Sequence, residues 1–516
     1  KITSLTFEKT SKALGSTFYN LRVDLRHNLN PDNIGKVSGV VKGGGLIFFI
    51  LPDLSEIESW KTRFDELITS YPFTLKDVEN YFERRFYNKL IEGKAVTIID
   101  LKGMKILKEG SKKLLKRVGK RRLIFPKNSK VPLQIYKTCL TQDQVDSINL
   151  LEKFWFEGEK SAFILKANRG RGKSAAVGLF LSFLVSRFMK VGKQLRIGIT
   201  SPERENVEIL WKFLKIGLKK LRIKFSEGED ELEIEKGRIR IEYKRPVRIA
   251  ERYYDLVVVE ESAGIPIPFL YSIIKKFYKT VFSSTIHGYE GAGRGFSIRF
   301  LKGIKEENLA KVFEFEMKEP IRYARGDLVE KWFFDTLLLD SEPCEIGKEE
   351  KYDVLTKKLR YEKIEKEKFS RTEKDLKNFI GIYILSHYRN RPRDIALLMN
   401  SPSHFPACVK TSSGKIVNSI HISKEGELPE ELIKKVFKKE KVKGHVIPLV
   451  VSRHYRNLEF GKLKGWRIVR IATHPELMDL GIGSFAVQKI EEDGKREKLD
   501  WIGVSFGSTP RLLNFW

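Results

Sequence analysis

Short apolar strands alternate with amphipathic helices over the middle of the chain. Between about 126 and 340, segments with helical periodicity separate five apolar runs, which are SAFILKA, QLRIGIT, RIRIEY, DLVVVEE and KTVFSSTI. This alternation is typical of a parallel sheet covered by helices on both faces. We therefore predict an α/β fold built on a parallel sheet for this region.

The two ends of the chain have different patterns. Residues 8–20 have the periodicity of an amphipathic helix, and LIFFILPDL (46–54), after a glycine triplet, predicts a buried strand. A chain of 516 residues is too long for one hydrophobic core. We predict four parts: an N-terminal α/β domain (1–125), the parallel-sheet domain (126–340), a charged helical connector (341–376) and a C-terminal α/β domain (377–516).

The chain is strongly basic. Lys and Arg number 97 against 67 Asp and Glu, a formal charge of +30, which would attract a polyanion. A charged surface of the thermophile type would explain the dense charge of 357–377 but not so large an imbalance. Nucleic acid is therefore the favoured partner. The segment 105–125, with nine Lys or Arg, is either a solvated basic helix or a contact for phosphates.

Cysteine content and hydropathy point to a protein of a reducing compartment, and we expect the cytoplasm. Cys139, Cys344 and Cys408 are far apart and form no CxxC pair, so they predict neither a disulfide framework nor a zinc site. We find no apolar run of the roughly 18 residues that a membrane span requires, so no membrane is expected. The chain begins at Lys1 rather than Met, which leaves a targeting peptide possible.

The segment ANRGRGKS (167–174) lies between the strand SAFILKA and a helical run. Backbone N–H groups of such a loop face phosphates at a helix N-terminus, Lys173 would reach the β- and γ-phosphates, and Ser174 would hold Mg²⁺. Gly170 and Gly172 allow a close approach of the backbone. Ala167 stands where the first glycine is usual, a tolerable change unless its φ is positive.

A second apolar strand, DLVVVEESAGIP (255–266), ends in two carboxylates. Glu260 and Glu261 at a strand end would hold Mg²⁺ through water and orient an attacking water. The usual order is Asp-Glu, so the longer Glu260 predicts looser metal geometry and slower hydrolysis. Without the glycine-rich loop, two carboxylates on an exposed turn would be the simpler interpretation.

Two further segments favour ATP as the nucleotide. LTQDQVDSI (140–148) resembles the segment by which many helicase-like NTPases recognise adenine, with Gln144 as the candidate residue. VFSSTIHGYEGAGRGF (281–296) follows another strand, and its hydroxyls and Arg294 would contact the γ-phosphate.

Near the C-terminal end, RIVRIATHPELMDLGIGSFAVQKI (467–490) resembles the coenzyme A loop of GNAT acetyltransferases. In that fold the strand before the loop and the next strand, here DWIGVSFG, separate so that the thioester lies between them. The usual loop is Gln-x-x-Gly-x-Gly, often with Arg third, whereas Met478, Asp479 and Leu480 stand here, which should weaken binding. A degenerate GNAT fold or an unrelated α/β turn is the alternative.

Together these segments resemble the tRNA(Met) cytidine acetyltransferases and their eukaryotic relatives. The likeness rests on GRGKSAA, ESAGIPIP, FSSTIHGYEGAGRGF, PIRYARGD, SHYRNRPRDIALL, RIVRIATHPEL, GIGS and WIGVSFGSTP, which occur in the family's order. The resemblance implies a helicase-like P-loop domain joined to a GNAT domain that is incomplete at Trp516. It implies ATP-dependent acetylation of a cytidine N4 amine from acetyl-CoA, in tRNA above all.

The resemblance also implies two sets of binding residues. The ATP contacts would be Gln144, Ala167, Asn168, Arg169, Gly170, Arg171, Gly172, Lys173, Ser174, Ala175, Ala176 and Arg322. The acetyl-CoA contacts would be Ile471, Ala472, Thr473, Met478, Asp479, Leu480, Gly481, Ile482, Gly483 and Ser484. Where the family usually offers the cofactor a carboxylate from the helix after WIGVSFG, Arg511 stands here.

The expected reaction is direct attack of the cytosine amine on the thioester. A backbone N–H of 471–473 would stabilise the oxyanion, and His387 of SHYRN is the expected base, with His474 second. ATP would drive RNA remodelling, because a paired amine is unreachable. The alternatives are an RNA-stimulated ATPase with a decayed acetyl-CoA module and a protein or small-amine acetyltransferase.

Overall fold

The chain folds as a mixed α/β protein with several sheets. The computed structural model describes residues 4–516 except 14–15, 112–121, 287–299, 302, 387–390, 438–439 and 441. The strands of the described part are β1 (Leu21–Asp24), β2 (Ile47–Ile50), β3 (Ile98–Asp100), β4 (Lys105–Lys108), β5 (Ser161–Ala167), β6 (Leu195–Thr200), β7 (Ser226–Glu227), β8 (Glu231–Ile234), β9 (Ile239–Tyr243), β10 (Leu256–Val259), β11 (Lys279–Thr285), β12 (Lys311–Met317), β13 (Leu359–Lys363), β14 (His404–Thr411), β15 (Ile416–Gly426), β16 (Lys464–Thr473) and β17 (Trp501–Val504).

Helices connect and cover these strands. The α-helices of the described part are Pro31–Val37, Arg63–Ile68, Tyr81–Glu92, Leu133–Tyr136, Gln142–Phe156, Lys173–Val191, Glu208–Lys220, Pro246–Ile249, Ile267–Lys276, Leu328–Thr336, Lys348–Leu355, Lys366–Arg371, Glu373–Tyr383, Pro392–Asn400, Glu430–Phe437, Val446–Tyr455, Ile482–Arg496 and Pro510–Phe515. Short 3₁₀ helices occur at Phe7–Ala13, Leu54–Glu56, Leu75–Asp77, Arg204–Val207, Ser262–Gly264, Ile384–Ser386, Glu459–Lys462 and Pro475–Leu477.

An eight-stranded sheet forms the middle of the protein, in the order β12-β5-β11-β10-β6-β9-β8-β7. The strands from β12 to β9 are parallel, and β8 and β7 continue antiparallel. Separate apolar cores cover its two faces, one of them around helix Lys173–Val191 and the other around helix Ile267–Lys276. All five predicted strands of this region are present, because continuous Val, Ile and Phe runs suit a sheet buried on both faces.

Helix Lys173–Val191 bears on the prediction that the chain contains no membrane span. Over an 18-residue window it is long and apolar enough to cross a membrane, which differs from the prediction that no such run occurs. Of that window, 61% is buried inside the protein. Its apolar residues are those of a core helix against the sheet.

A five-stranded sheet, β13-β14-β15-β16-β17, forms the C-terminal region. Neighbouring strands are antiparallel except for β16 and β17, which are parallel and pair only from Gly465–Trp501 to Ile468–Val504. The end of β16, residues 469–473, therefore extends beyond β17 on that side. The register of β16 against β15 also shifts next to Val469, and such a bulge bends a strand.

Three predicted elements differ in the structure. The helix expected over 8–20 is wrong: the helical residues are Phe7–Ala13, and Phe18 already bridges Val41. β2 is shorter and more exposed than the buried strand expected over 46–54, because it pairs with β1 in a sheet of two strands. The segment 341–376, expected to be helical, contains β13, which forms the edge of the five-stranded sheet.

The N-terminal region shares a hydrophobic core with later parts of the chain. Helix Tyr81–Glu92 packs against helices Leu328–Thr336, Lys366–Arg371 and Pro392–Asn400. Residues 328–400 are therefore not a solvated linker, since their apolar side chains complete the core of the N-terminal region. The four domain boundaries stay predictions.

Candidate functional site

Residues 167–174, called the Lys173 loop here, follow the end of β5, which lies between β12 and β11 in the eight-stranded sheet. Ala167 is the last residue of β5 and has no positive φ, so the change from glycine causes no backbone strain. Gly170 and Gly172 do adopt positive φ, +76° and +87°. Gly172 is the N-cap of helix Lys173–Val191, so the loop ends where the first N–H groups of that helix have no helical acceptor.

The carboxyl ends of the neighbouring strands surround this loop. Ser174 Oγ donates to Glu260 Oε2 at 2.9 Å, and Lys173 Nζ lies 2.9 Å from Thr285 Oγ1. Thr285 Oγ1 in turn donates to the carboxylate of Glu261 at 2.9 Å, and Glu261 lies 3.9 Å from Lys173 Nζ. The structure thus brings together the lysine, the hydroxyl and both carboxylates that we predicted from separate segments.

Glu260 is fully buried, and its other oxygen, Oε1, has no hydrogen-bond partner. Burial, with the adjacent Glu261 carboxylate, raises the pKa of Glu260 to about 7. A buried carboxylate oxygen without a partner is costly unless a cation, a water or a proton satisfies it. The position beside Ser174 Oγ therefore suits a hydrated cation.

Gln144 and Arg322 lie on either side of the loop. The buried Gln144 amide accepts from Leu140 N at 2.8 Å and donates to Gly172 O at 3.4 Å. Arg322 donates to Gly39 O at 2.9 Å and to Thr17 Oγ1 at 3.0 Å, and no carboxylate of the described residues pairs with it. Burial, together with nearby Arg169, lowers the pKa of Arg322. A cation held in such surroundings is suited to binding an anion.

Sequence reasoning missed the partner of Arg171, whose side chain is buried. Its guanidinium is buried, pairs with Glu330 at 2.7 Å and lies 3.4 Å from Tyr323 Oη. Tyr323 Oη also donates to Glu330 Oε1 at 2.9 Å. Nothing in the spacing of these residues along the chain signals the pair, since Arg171 and Glu330 are 159 positions apart.

Residues 478–484, called the Gly481 loop here, lead into the first turn of helix Ile482–Arg496 and follow the end of β16 that extends beyond β17. Gly481 is the N-cap of that helix, and a Cβ there would meet open space. Met478, Asp479, Leu480 and Ser484 are exposed. The structure brings this loop next to 471–473, because the short 3₁₀ helix Pro475–Leu477 turns the chain back from the end of β16.

The two candidate bases differ in what the structure shows. His387 lies outside the described residues, as does Arg294. His474 is buried, its Nε2 lies 2.8 Å from Cys344 O, and its Nδ1 accepts from Glu476 N at 3.3 Å. Burial lowers its pKa. With both ring nitrogens bound to the backbone, His474 caps the 3₁₀ helix and has no nitrogen left for a substrate.

Comparison with known sequences assigns the family. A sequence model described as RNA cytidine acetyltransferase NAT10/TcmA, helicase domain, matches residues 164–340. A model described as GNAT acetyltransferase 2 matches 378–493, and one described as tRNA(Met) cytidine acetyltransferase TmcA, N-terminal, matches 1–101. The chain belongs to the tRNA(Met) cytidine acetyltransferase family.

Individual members of this family align with the whole chain. The protein named tRNA(Met) cytidine acetyltransferase TmcA is 42% identical in Thermofilum pendens, 40% in Pyrococcus abyssi and 39% in Thermococcus kodakarensis. The alignments cover 99%, 100% and 100% of this chain but only 65%, 63% and 63% of these relatives. The chain thus spans slightly less than two thirds of the length of the family members it matches.

The family matches assign each of the two loops to a domain. The helicase-domain match contains the Lys173 loop, Glu260, Glu261 and Arg322, and the GNAT match contains β16 and the Gly481 loop. In the part of the chain that the structure describes, no group of three or more His, Cys, Asp or Glu side chains could hold a metal by itself. Any metal at the Lys173 loop would need ligands from a bound molecule or water.

Proposed function

We propose that this chain is the catalytic part of an RNA cytidine N4-acetyltransferase that uses ATP and acetyl-CoA and forms N4-acetylcytidine in tRNA, most specifically tRNA(Met). One observation carries the proposal. A glycine loop that leads from a strand into a helix start, and a parallel strand pair whose pairing stops next to a second glycine loop, occur in one chain of a family whose curated members are named for this reaction. Its strong positive charge suits an RNA substrate.

The Lys173 loop is the proposed ATP site, formed by Ala167 to Ala176 with Gln144 and Arg322. Backbone N–H groups at the start of helix Lys173–Val191 would hold the phosphates, and Lys173 would neutralise them. Ser174 Oγ and the unpartnered oxygen of Glu260 would hold Mg²⁺, which supplies charge neutralisation at the phosphates. Glu261, which accepts a hydrogen bond from Thr285 Oγ1, would orient the attacking water.

The proposed acetyl-CoA site lies where β16 extends beyond β17. The Gly481 loop and the start of helix Ile482–Arg496 offer backbone N–H groups to the pyrophosphate. Residues 471–473 of β16 pair with β15 on one side but extend beyond β17 on the other, and their backbone groups on that second side would contact the rest of the cofactor.

Acetyl transfer then needs positioning above all, because the cytosine amine is conjugated with its ring and is a poor nucleophile. The amine nitrogen attacks the thioester carbon, the C–N bond forms, and the C–S bond breaks as coenzyme A leaves as a thiolate. A backbone N–H of 471–473 stabilises the oxyanion. His387 is the proposed base for the amine proton, and the hydrogen bonds of both His474 ring nitrogens to the backbone count against the other candidate.

ATP hydrolysis is proposed to remodel the RNA rather than to activate the acetyl group. Acetyl-CoA is already a thioester, whereas a base-paired amine cannot reach the strand end at 471–473. A protein that acts on tRNA in this way is expected in the cytoplasm.

One assay tests the reaction. The protein is incubated with labelled acetyl-CoA, ATP and tRNA, and the RNA is digested to nucleosides; we expect labelled N4-acetylcytidine. Lys173→Ala should abolish the label without changing acetyl-CoA affinity, while Lys190→Ala, exposed on the last turn of the same helix, should keep it. Full labelling without ATP would contradict the proposal that ATP hydrolysis at the Lys173 loop is needed for acetyl transfer at the other site.

The base is tested separately. His387→Ala should lower the acetylation rate at least about a hundredfold, the usual size of general-base catalysis, and leave tRNA binding unchanged. The exposed His454→Ala is the matched control. Full acetylation by a correctly folded His387→Ala variant would remove this residue from the mechanism.

The second candidate function is an RNA-stimulated ATPase whose acetyl-CoA module has decayed. The observation in its favour is Asp479, a carboxylate in the Gly481 loop where a pyrophosphate would bind. RNA-stimulated phosphate release without labelled N4-acetylcytidine would establish it.

A further inference from the structure

The Gly481 loop combines two features that oppose each other if it holds a phosphate group. The start of helix Ile482–Arg496 attracts an anion through its free N–H groups and the helix dipole. Asp479, two residues before the N-cap Gly481, adds a full negative charge at the same place. An isolated carboxylate there would repel the pyrophosphate of coenzyme A and offset the attraction.

The structure shows that this carboxylate is not isolated. Arg511, from helix Pro510–Phe515, donates to Asp479 Oδ1 at 2.6 Å. Both side chains stay largely exposed, 73% for Arg511 and 79% for Asp479. The guanidinium therefore keeps several N–H donors free on the side of the loop that faces solvent.

The helix that carries Arg511 is held against the loop by packing. The Phe515 ring lies over Gly483, where an added Cβ would come within 3.0 Å of Phe515 Cε2. Thr509 Oγ1 accepts from Leu512 N at 3.3 Å and caps the start of this helix. The glycine at 483 thus permits the approach that brings Arg511 to Asp479.

From this geometry we propose that Arg511 is a phosphate-binding residue of the acetyl-CoA site and that Asp479 is its counter-charge. The two departures from the family's usual residues, one in the loop and one on helix Pro510–Phe515, then compensate each other. Arg511 cancels the carboxylate and presents its remaining donors to the cofactor's phosphates. This inference rests on the proposed function. Judged by the family's sequence pattern alone, Asp479 and Arg511 would both count against acetyl-CoA binding.

The competing interpretation is an ordinary surface ion pair, most of which contribute little. Arg371 and Glu367 provide a matched example, because they also lie 2.6 Å apart and Arg371 is also 73% exposed. They lie on helix Lys366–Arg371 rather than on the Gly481 loop. Substitutions in the two pairs therefore separate the effect of location from the effect of losing a surface arginine.

The test is acetyl-CoA affinity, measured by calorimetry at low salt. We expect Arg511→Gln to weaken binding about tenfold, since it leaves Asp479 unneutralised within a few ångströms of the phosphates. Asp479→Asn should bind at least as tightly as the unchanged protein. The double variant should fall within about threefold of it, and the loss in Arg511→Gln should shrink at 0.5 M salt.

Two controls make the result specific. Arg371→Gln should leave acetyl-CoA affinity unchanged. S-acetylpantetheine carries the same thioester without phosphates, so Arg511→Gln should not alter its inhibition constant in competition with acetyl-CoA. A change for that ligand would indicate that the substitution disturbs the thioester site by altered packing, and it would overturn the proposal.

The remaining outcomes are equally decisive. Unchanged acetyl-CoA affinity in Arg511→Gln, or a double variant as weak as the single one, overturns the role of Arg511 while the proposed function stands. If the unchanged protein does not bind acetyl-CoA, both the proposed function and this inference fail.

Discussion

The buried ion pair behind the Lys173 loop gives a quantitative prediction. Arg171 is 5% exposed and Glu330 14%, and Tyr323 donates to the same carboxylate. Ile321 N donates to Gly170 O at 3.0 Å in the same region. We expect Glu330→Gln to loosen the contact between the loop and helix Leu328–Thr336, because it leaves the Arg171 guanidinium buried without a counter-charge.

The size of the expected effect follows from the burial of the Arg171–Glu330 pair. Breaking one partner of a buried ion pair costs about 3–5 kcal/mol, and we expect about 3 kcal/mol here because Glu330 keeps some solvent contact and Gln can still accept one hydrogen bond. At about 1.4 kcal/mol for each factor of ten, amides of helix Leu328–Thr336 should exchange with solvent about a hundredfold faster.

Native-state hydrogen exchange measures this effect locally, which suits a protein with several hydrophobic cores. The double variant Arg171→Gln with Glu330→Gln should recover most of the protection, since it removes both charges. Glu367→Gln, which breaks an exposed pair, should change exchange less than about fivefold. Unchanged exchange in Glu330→Gln, or a double variant as fast as the single one, would refute the reasoning.

Three further predictions concern stability, nucleotide binding and RNA binding. Burial and the Asp65 carboxylate raise the pKa of Glu83 to about 8 from its usual 4.5. The folded protein holds a proton that the unfolded chain releases, so the stabilisation present below about pH 4.5 is lost as the pH rises towards 8. Glu83→Gln should flatten that part of the melting-temperature profile; an unchanged slope would contradict the assignment. Gly172→Ala places a Cβ 2.5 Å from Gln144 Nε2 at φ +87° and should weaken ATP-analogue binding more than about tenfold, whereas Gly158→Ala meets no atom within 4 Å and should not. Affinity for tRNA, followed by filter binding, should fall at least about tenfold between 50 and 200 mM salt, and a flat response would contradict an electrostatic interface.

Much of the proposed nucleotide site could be predicted because its parts are local patterns at strand ends. Lys173 and Ser174 follow one apolar strand, and Glu260 and Glu261 follow another. Parallel strands of one sheet present their carboxyl ends at one edge, so these residues had to meet. The edge position of β2 and the strand at 359–363 could not be predicted, because whether an apolar run is buried depends on which distant segment covers it.

By itself, the sequence determined five strands of the middle sheet, the two glycine loops, the charge and the family, since each is written in neighbouring residues. Only the tertiary structure decided that Arg171 pairs with Glu330, that His474 is bound to the backbone, and that Arg511 meets Asp479. In the sequence, each partner of such a pair looks like any other polar residue. Its partner is chosen by how packed helices and sheets bring distant segments together, and no local pattern records that choice.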